Sequence, residues 1–172
     1  QGAGHCIYRN QGGSLEPSPY WTAEGGGFEG NTLDWGDVDG DGLPDLLVSD
    51  NDQLGGVGLV RLWCGPGLEL CWTSADGSAM QSAVALRDVD GDGHLDAVAG
   101  SWWGAVRIYL GIDGGLSTEP GWVSEPSGIV VEAFAWSDLD GSHEMSEDHS
   151  GQGLLALPSR GRTLWVEGGV AG

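Results

Sequence analysis

The chain has 172 residues, 33 glycines, 9 tryptophans and a formal net charge of −20 from 26 acidic and 6 basic residues. This acidity excludes nucleic acid as a partner, because phosphate contacts need clustered positive charge. No apolar run approaches the roughly 20 residues that a membrane span requires. Abundant glycine and few helix-forming runs favour short strands joined by tight turns, so we expect an all-β domain.

The start of the chain and its cysteines favour an extracellular protein. The chain begins at Gln1 with neither a methionine nor a signal peptide, which predicts a mature secreted protein or a piece of a longer one, and we expect secretion. Cys64 and Cys71 flank a turn between two predicted strands, where a hairpin brings such positions within disulfide distance. A disulfide there implies an oxidising compartment, and two reduced, packed cysteines are the alternative. Cys6 is then either a small buried side chain or a thiol outside any disulfide.

Two segments have the residue chemistry of calcium loops. DVDGDGLPD, residues 37–45, recurs as DVDGDGHLD, residues 88–96. Calcium takes roughly six to eight oxygen ligands, and carboxylates this close repel one another unless a cation neutralises them. A solvated acidic turn is the alternative. The predicted ligands are the side chains of Asp37, Asp39, Asp41, Asp45, Asp88, Asp90, Asp92 and Asp96, with the backbone carbonyls of Leu43 and His94.

A repeat of about 50 residues runs through the chain. The step is 51 positions from Asp37 to Asp88 and 50 from Asp88 to Asp138. The same two steps separate three tryptophans: Trp21, Trp72 and Trp122. Each unit is predicted to form four short strands, with complete units at residues 31–75 and 82–125, an incomplete unit at 129–168, and the last two strands of a preceding unit at 5–24.

Such units, with a periodic glycine and aromatic signature, are typical of β-propeller blades. DVDGDGLPDLLVSD and DVDGDGHLDAVAGS, followed by VRLWCG and VRIYLG, resemble the FG-GAP and VCBS repeat family of integrin-α-like propellers. The resemblance covers nearly the whole chain. It implies a β-propeller of four-stranded blades, about three per chain, with calcium in the turn between the first two strands of a blade. It implies no single activity, since these propellers serve adhesion, sugar binding and scaffolding alike.

The third copy of the loop departs from the pattern. Asp138 and Asp140 keep the first two ligand positions, but Ser142 replaces the third aspartate and the closing carboxylate is missing from its place. The following insertion, HEMSEDHSGQ, offers substitute acids, so this loop is expected to bind calcium weakly or not at all. A zinc site at two histidines of the insertion is a further alternative: His143 and His149.

The tryptophans divide into packing and ligand candidates. Residues that recur in step with a blade fill the same slot between blades, and this predicts a packing role for Trp21, Trp72, Trp122, Trp35 and Trp136. Trp102 and Trp103 differ, because they occupy a predicted turn. Adjacent strand residues point to opposite faces, so at most one of this pair is core and the other is the candidate ligand contact.

Thirteen predicted strands do not close a ring of about four to eight blades. The chain is therefore either a fragment of a longer propeller or part of a shared ring, and we expect a homodimer.

The expected function is a secreted, calcium-binding propeller that binds glycans or an extracellular protein. The alternatives are a structural module without a ligand and a calcium-dependent polysaccharide lyase. No nucleophile elbow or phosphate-binding glycine loop is visible, so we do not expect an enzyme.

Overall fold

The computed structural model describes residues 5–24, 30–51, 57–75, 80–126, 128, 130–138, 152–158 and 164–167, and at 137–138, 152–158 and 164–167 it describes the backbone alone. Within these residues the chain is all-β, with short strands and no helix, which confirms the predicted class. None of the described segments is a helix long and apolar enough to cross a membrane.

Three antiparallel sheets follow one another along the chain. Sheet I contains β5 (Gly30–Gly36), β6 (Asp45–Asp50), β7 (Val60–Cys64) and β8 (Glu69–Thr73), in that order. Sheet II contains β9 (Gln81–Arg87), β10 (Asp96–Ser101), β11 (Arg107–Tyr109) and β14 (Trp122–Val123), in that order. Sheet III contains β15 (Val131–Asp138), β16 (Gln152–Pro158) and β17 (Leu164–Glu167), in that order.

Two small hairpins were not anticipated from the sequence. One, β12 (Gly111–Ile112) with β13 (Gly115–Leu116), lies between β11 and β14. At the start of the chain β1 (Cys6–Ile7) pairs with β4 (Trp21–Thr22), and they enclose the hairpin of β2 (Asn10–Gln11) and β3 (Ser14–Leu15). Residues 5–24 thus repeat the arrangement of β11 to β14 and contain four short strands where two were predicted. Strands of two residues are too short to show an alternating pattern.

The sheets stack face to face in chain order, and three apolar clusters fill the junctions. Sheets I and II enclose Val38, Leu47, Val60, Leu62, Trp72, Val84, Leu86, Ala97, Ala99, Tyr109 and Leu116. Sheets II and III enclose Ala83, Val98, Val106, Ile108 and Val131, with Trp122, Phe134 and Trp136 packed against them. The β1–β4 pair covers part of sheet I through Ala23, Leu46, Val48 and Trp63, with Ile7 and Trp21. Both faces of sheet II are therefore buried.

Hydrogen bonds also cross the junctions, and they join the first strands of successive sheets. Thr32 on β5 donates its hydroxyl to the Ser82 carbonyl at 3.2 Å and accepts from the Val84 N–H at 2.9 Å. Ser82 on β9 in turn donates its hydroxyl to the Val131 carbonyl on β15. The same contact thus recurs one repeat later, and β5, β9 and β15 lie side by side.

The recurring tryptophans pack between sheets. Trp21 meets Trp63 edge to face with ring centroids 6.0 Å apart, and Trp72 meets Tyr109 in the same way at 5.2 Å. The packing prediction is wrong for Trp35, whose side chain is 42% exposed. The β1–β4 pair packs on β6 and β7 and leaves this face of β5 uncovered.

Candidate metal centre

Two acidic loops join the first and second strands of sheets I and II, at the same end of both sheets. The first loop runs from Asp37 to Asp45 and the second from Asp88 to Asp96. Each begins directly after the first strand of its sheet and finishes on the first residue of the second strand. The strands therefore fix both ends of each loop and bring its carboxylates together.

The first aspartate of each loop organises the turn. Asp37 accepts the N–H of Gly40 at 2.9 Å through Oδ1 and the N–H of Gly42 at 3.0 Å through Oδ2. Both glycines have positive φ, 78° and 84°, a conformation that side-chain-bearing residues rarely adopt. The glycines of the motif are thus required by the backbone path.

The second loop reproduces the same network. Asp88 accepts from Gly91 at 2.7 Å and from Gly93 at 2.9 Å. The middle aspartates of both loops accept from the residue two positions later, so Asp39 and Asp41 correspond to Asp90 and Asp92. Two segments 51 residues apart therefore have one geometry.

The closing aspartates, Asp45 and Asp96, are fully buried. Asp45 accepts the Val38 N–H at 2.8 Å and the Gly65 N–H at 3.3 Å. Asp96 makes the equivalent contact with the Gly111 N–H at 2.7 Å. These glycine donors were not anticipated, although VRLWCG and VRIYLG both place a glycine within two residues of the end of the third strand. A backbone donor near the end of the third strand thus supports each acidic loop.

Burial and neighbouring charge make ionisation of the closing carboxyls costly. Burial raises the pKa of Asp45 above its usual value, against the backbone hydrogen bonds that lower it. Burial likewise raises the pKa of Asp96 to about 6, and the charges of Asp90 and Asp88 add to the shift. A bound cation reverses this balance, because it stabilises the ionised form.

The carboxylates converge on common points. Asp37, Asp39 and Asp41 place ligand oxygens within 4.8 Å of one another, as do Asp88, Asp90 and Asp96. Such all-oxygen donor sets suit hard divalent cations. A third group consists of Asp39, Asp45 and Cys64, but the Cys64 sulfur is already bonded in the disulfide. The group still shows that the closing Asp45 carboxylate lies within 4.8 Å of Asp39, which belongs to the first set.

The structure shows less about the other predicted metal ligands. Leu43 has an exposed side chain, and its N–H donates to Asp41 as that of His94 donates to Asp92. Asp138 is the last residue of β15 and pairs with Gln152 on β16. The remaining third-loop residues lie outside the described part of the chain: Asp140, Ser142, His143 and His149.

The tryptophan pair lies at the opposite end of the sheets from the acidic loops. Trp102 follows β10, is half-buried, and donates its N–H to the Met80 carbonyl at 2.9 Å. Trp103 is 53% exposed and has a φ of 57°, in the left-handed region where non-glycine residues are uncommon. The rings meet edge to face at 5.9 Å. Trp103 is thus the exposed member of the pair.

Cys64 and Cys71 form a disulfide across the β7–β8 hairpin, with Cα atoms 5.7 Å apart. Cys6 is exposed, and its Sγ lies 3.7 Å from the Thr22 hydroxyl. Of the two alternatives expected for Cys6, the structure fits the thiol outside any disulfide, because the side chain points out from the two-stranded β1–β4 sheet. A disulfide is compatible with an oxidising compartment.

The comparisons with known proteins give no relative, since the chain matches no protein-family model and no curated protein.

Proposed function

We propose that this protein is a secreted β-propeller module of the FG-GAP and VCBS type, in which calcium ions bound to the two acidic loops stabilise the fold. The observation that carries the proposal is the convergence of carboxylates: in each loop three of them offer oxygens within 4.8 Å of one another, and the closing aspartate is fully buried. Carboxylates this close repel one another, and a bound cation removes that repulsion. The ligands are those predicted from the sequence, with Asp45 and Asp96 closing the sites.

Calcium fits these loops better than magnesium does. Magnesium requires a near-ideal octahedron at roughly 2.0 to 2.1 Å and keeps several waters, whereas calcium accepts up to about eight oxygens at variable angles. Each loop offers four carboxylates and a backbone carbonyl on a glycine-rich path. Such a ligand-rich, adaptable site favours the larger ion.

The stacking of the sheets supports a propeller. Successive sheets pack face to face, and their first strands are neighbours joined by recurring hydroxyl contacts, Thr32 to Ser82 and Ser82 to Val131. In a propeller the first strands of the blades surround the central axis. The repeated relationship between sheets is the one that a ring of blades requires.

Counting the bound metal tests the calcium proposal. Asp41→Ala and Asp92→Ala should each lower the calcium content by one ion per chain, and Ser142→Ala should change little because its loop lacks two of the acids. Asp113→Ala is the matched control, since Asp113 is an exposed acid on the β12–β13 turn. The unaltered protein should also melt at a lower temperature in chelator, because an ion that binds only the folded state stabilises it. Equal calcium content in all variants, or a melting temperature indifferent to chelator, contradicts the proposal.

Glycan binding is the second part of the proposal, and it is carried by Trp103. A large ring held exposed in an unfavourable backbone conformation costs free energy, and such costs cluster at binding sites. An aromatic face of this kind stacks on a pyranose ring. Glycan-array binding that Trp103→Ala abolishes and Tyr8→Ala preserves supports this role, since Tyr8 is equally exposed at 50%. A blank array leaves the structural module as the better description.

A further inference from the structure

The face of sheet I that points away from sheet II is only half covered. Leu33 and Trp35 on β5 are 58% and 42% exposed, whereas their counterparts on β9, Val84 and Leu86, are 8% and 7% exposed. The correspondence follows from the register, because Trp35 pairs with Leu46 on β6 as Leu86 pairs with Ala97 on β10. Two equivalent pairs of apolar side chains therefore differ in whether a neighbouring sheet covers them.

The covered junctions show what kind of surface fits over such residues. If Gly36 carried a Cβ atom, that atom would lie 2.6 Å from Leu95 Cδ1 and 3.1 Å from Leu86 Cδ1, which leaves no room for a side chain at this position unless the leucines shift. At the next junction a Cβ at Gly100 would lie 3.1 Å from Phe134 Cζ. Bulky residues of a later sheet thus close against the smallest residues of the sheet before it.

Sheet III presents small residues of this kind on its far side. Phe134 and Trp136 pack towards sheet II, and alternate residues of a strand point the other way. On β15 those residues are Ala133, which is exposed, and Ala135, which is half-buried. The stack therefore ends in a bulky face on β5 and a small-residue face on β15.

We propose that these two faces join between two copies of this chain, so that β15 and β16 of one copy cover Leu33 and Trp35 of the other. The proposal rests on the propeller stacking inferred above. The contact is head to tail, and a rotation that closes it gives a ring. A second copy is the occupant because Ala133 corresponds in the repeat to Ala83, which β9 buries against sheet III at the internal junction.

The strands of the joined sheet follow from the pairings. In the complete sheet II, β11 is the third strand and lies between β10 and β14. β1 corresponds to β11 because it pairs with β4, the counterpart of β14. β17 also corresponds to β11, because it pairs with β16, the counterpart of β10. β1 and β17 therefore occupy the same third-strand position. In the joint, β15 and β16 of one copy combine with β1 and β4 of the other. β1 takes the place beside β16 that β17 occupies within one chain, so β17 leaves the sheet when the joint forms.

Charge complementation tests the joint on the full chain. Trp35→Arg and Ala135→Asp each place a lone charge in the joint, so each variant alone should lose the dimer, whose mass is twice the 17.8 kDa of the chain. An equimolar mixture should recover the dimer, since one joint then contains the opposite charges and the other is unaltered. Ile112→Arg is the control, because Ile112 is 49% exposed on the β12–β13 hairpin, outside the stack, and it should remain dimeric.

The outcomes separate this joint from the proposed function. A monomer or an open series of larger species for the unaltered chain overturns the joint, and so does Trp35→Arg or Ala135→Asp that keeps the parent mass. Failure of the mixture to dimerise, with both single variants still holding their calcium and therefore folded, overturns it as well. Calcium content is measured on the same samples. A monomer that holds its calcium refutes the joint alone, whereas a dimer without calcium refutes the calcium proposal alone.

Discussion

The Gly65 N–H donates to Asp45 Oδ1 at 3.3 Å, and Gly65 directly follows the disulfide-bonded Cys64. The disulfide fixes the β7–β8 hairpin that carries this donor. In the second loop Gly111 makes the same contact with Asp96, but the residue before it is Leu110. Two equivalent acidic loops therefore differ in whether a covalent bond supports the donor to the closing carboxylate.

Reduction of the disulfide should weaken calcium binding at the first loop only. The Gly65 donor loses its covalent support, so a several-fold rise in the dissociation constant of that site is expected, with the second loop as an internal control. The measurement is a calcium titration with and without reductant, on Asp92→Ala to isolate the first loop and on Asp41→Ala to isolate the second. Equal weakening of both loops, or of neither, contradicts the expected link.

Asp34 should prove important for stability although it is not a metal ligand. Its Oδ2 accepts the Leu86 N–H of sheet II at 2.9 Å, and its Oδ1 accepts the Trp35 N–H at 2.9 Å. Asp34→Ala removes both acceptors at the sheet I–II junction, and a part-buried donor left without a partner costs about 1 to 3 kcal/mol. Urea denaturation in saturating calcium measures the loss.

Asp113→Ala is again the control for Asp34→Ala, since it deletes an exposed acid and should stay within about 0.5 kcal/mol of the parent. Calcium content should be unchanged in both variants. If Asp34→Ala unfolds at the parent urea concentration, the carboxylate is not a structural bridge between the sheets.

The buried ion pair of sheet I gives a third prediction. Arg61 Nη1 lies 3.0 Å from Asp50 Oδ2, and both side chains are nearly fully buried. Asp50 also accepts the Val57 N–H at 2.9 Å. Arg61→Met leaves a buried carboxylate without its main charge partner, so we expect a loss of about 3 to 5 kcal/mol, as for other broken buried pairs.

Arg107 is the control position for that experiment, because it occupies the equivalent place on β11 and is only half-buried. Arg107→Met should cost clearly less than Arg61→Met in the same denaturation assay. Equal losses would mean that the methionine disturbs packing in both strands and that the ion pair contributes little of its own.

The sequence predicted the elements whose chemistry is local. Alternate aspartates and glycines identify both loops, and the hairpin position of Cys64 and Cys71 identifies their disulfide, because neighbours along the chain determine each. The role of Asp34 was not predictable, since its second partner lies 52 positions away in the next sheet. Trp35 was wrongly predicted to be core for a related reason. Trp35 occupies the same position in the repeat as the buried Leu86. Whether such a side chain is exposed depends on which strands cover its face of the sheet, and the repeat does not show this.

The last prediction concerns pH in the absence of metal. Burial raises the pKa of Asp96 in the folded chain to about 6 from its ordinary 3.8. The folded state therefore binds this proton more tightly than the unfolded state does. The stability that protonation contributes is complete below the unfolded pKa and is lost as the pH rises through the folded pKa. In chelator the protein should melt at a temperature a few degrees higher at pH 5 than at pH 7.

Calcium should reverse this dependence, because the ion and the proton compete for the same carboxylate. The stabilisation that saturating calcium gives is then larger at pH 7 than at pH 5.

General relief of negative charge repulsion also stabilises the chain at lower pH, so Asp96→Asn is needed to isolate the site. This variant has a neutral side chain of the same shape, and its melting temperature in chelator should change less between pH 5 and pH 7 than that of the parent. An equal change in both proteins would assign the pH dependence to the net charge and not to Asp96.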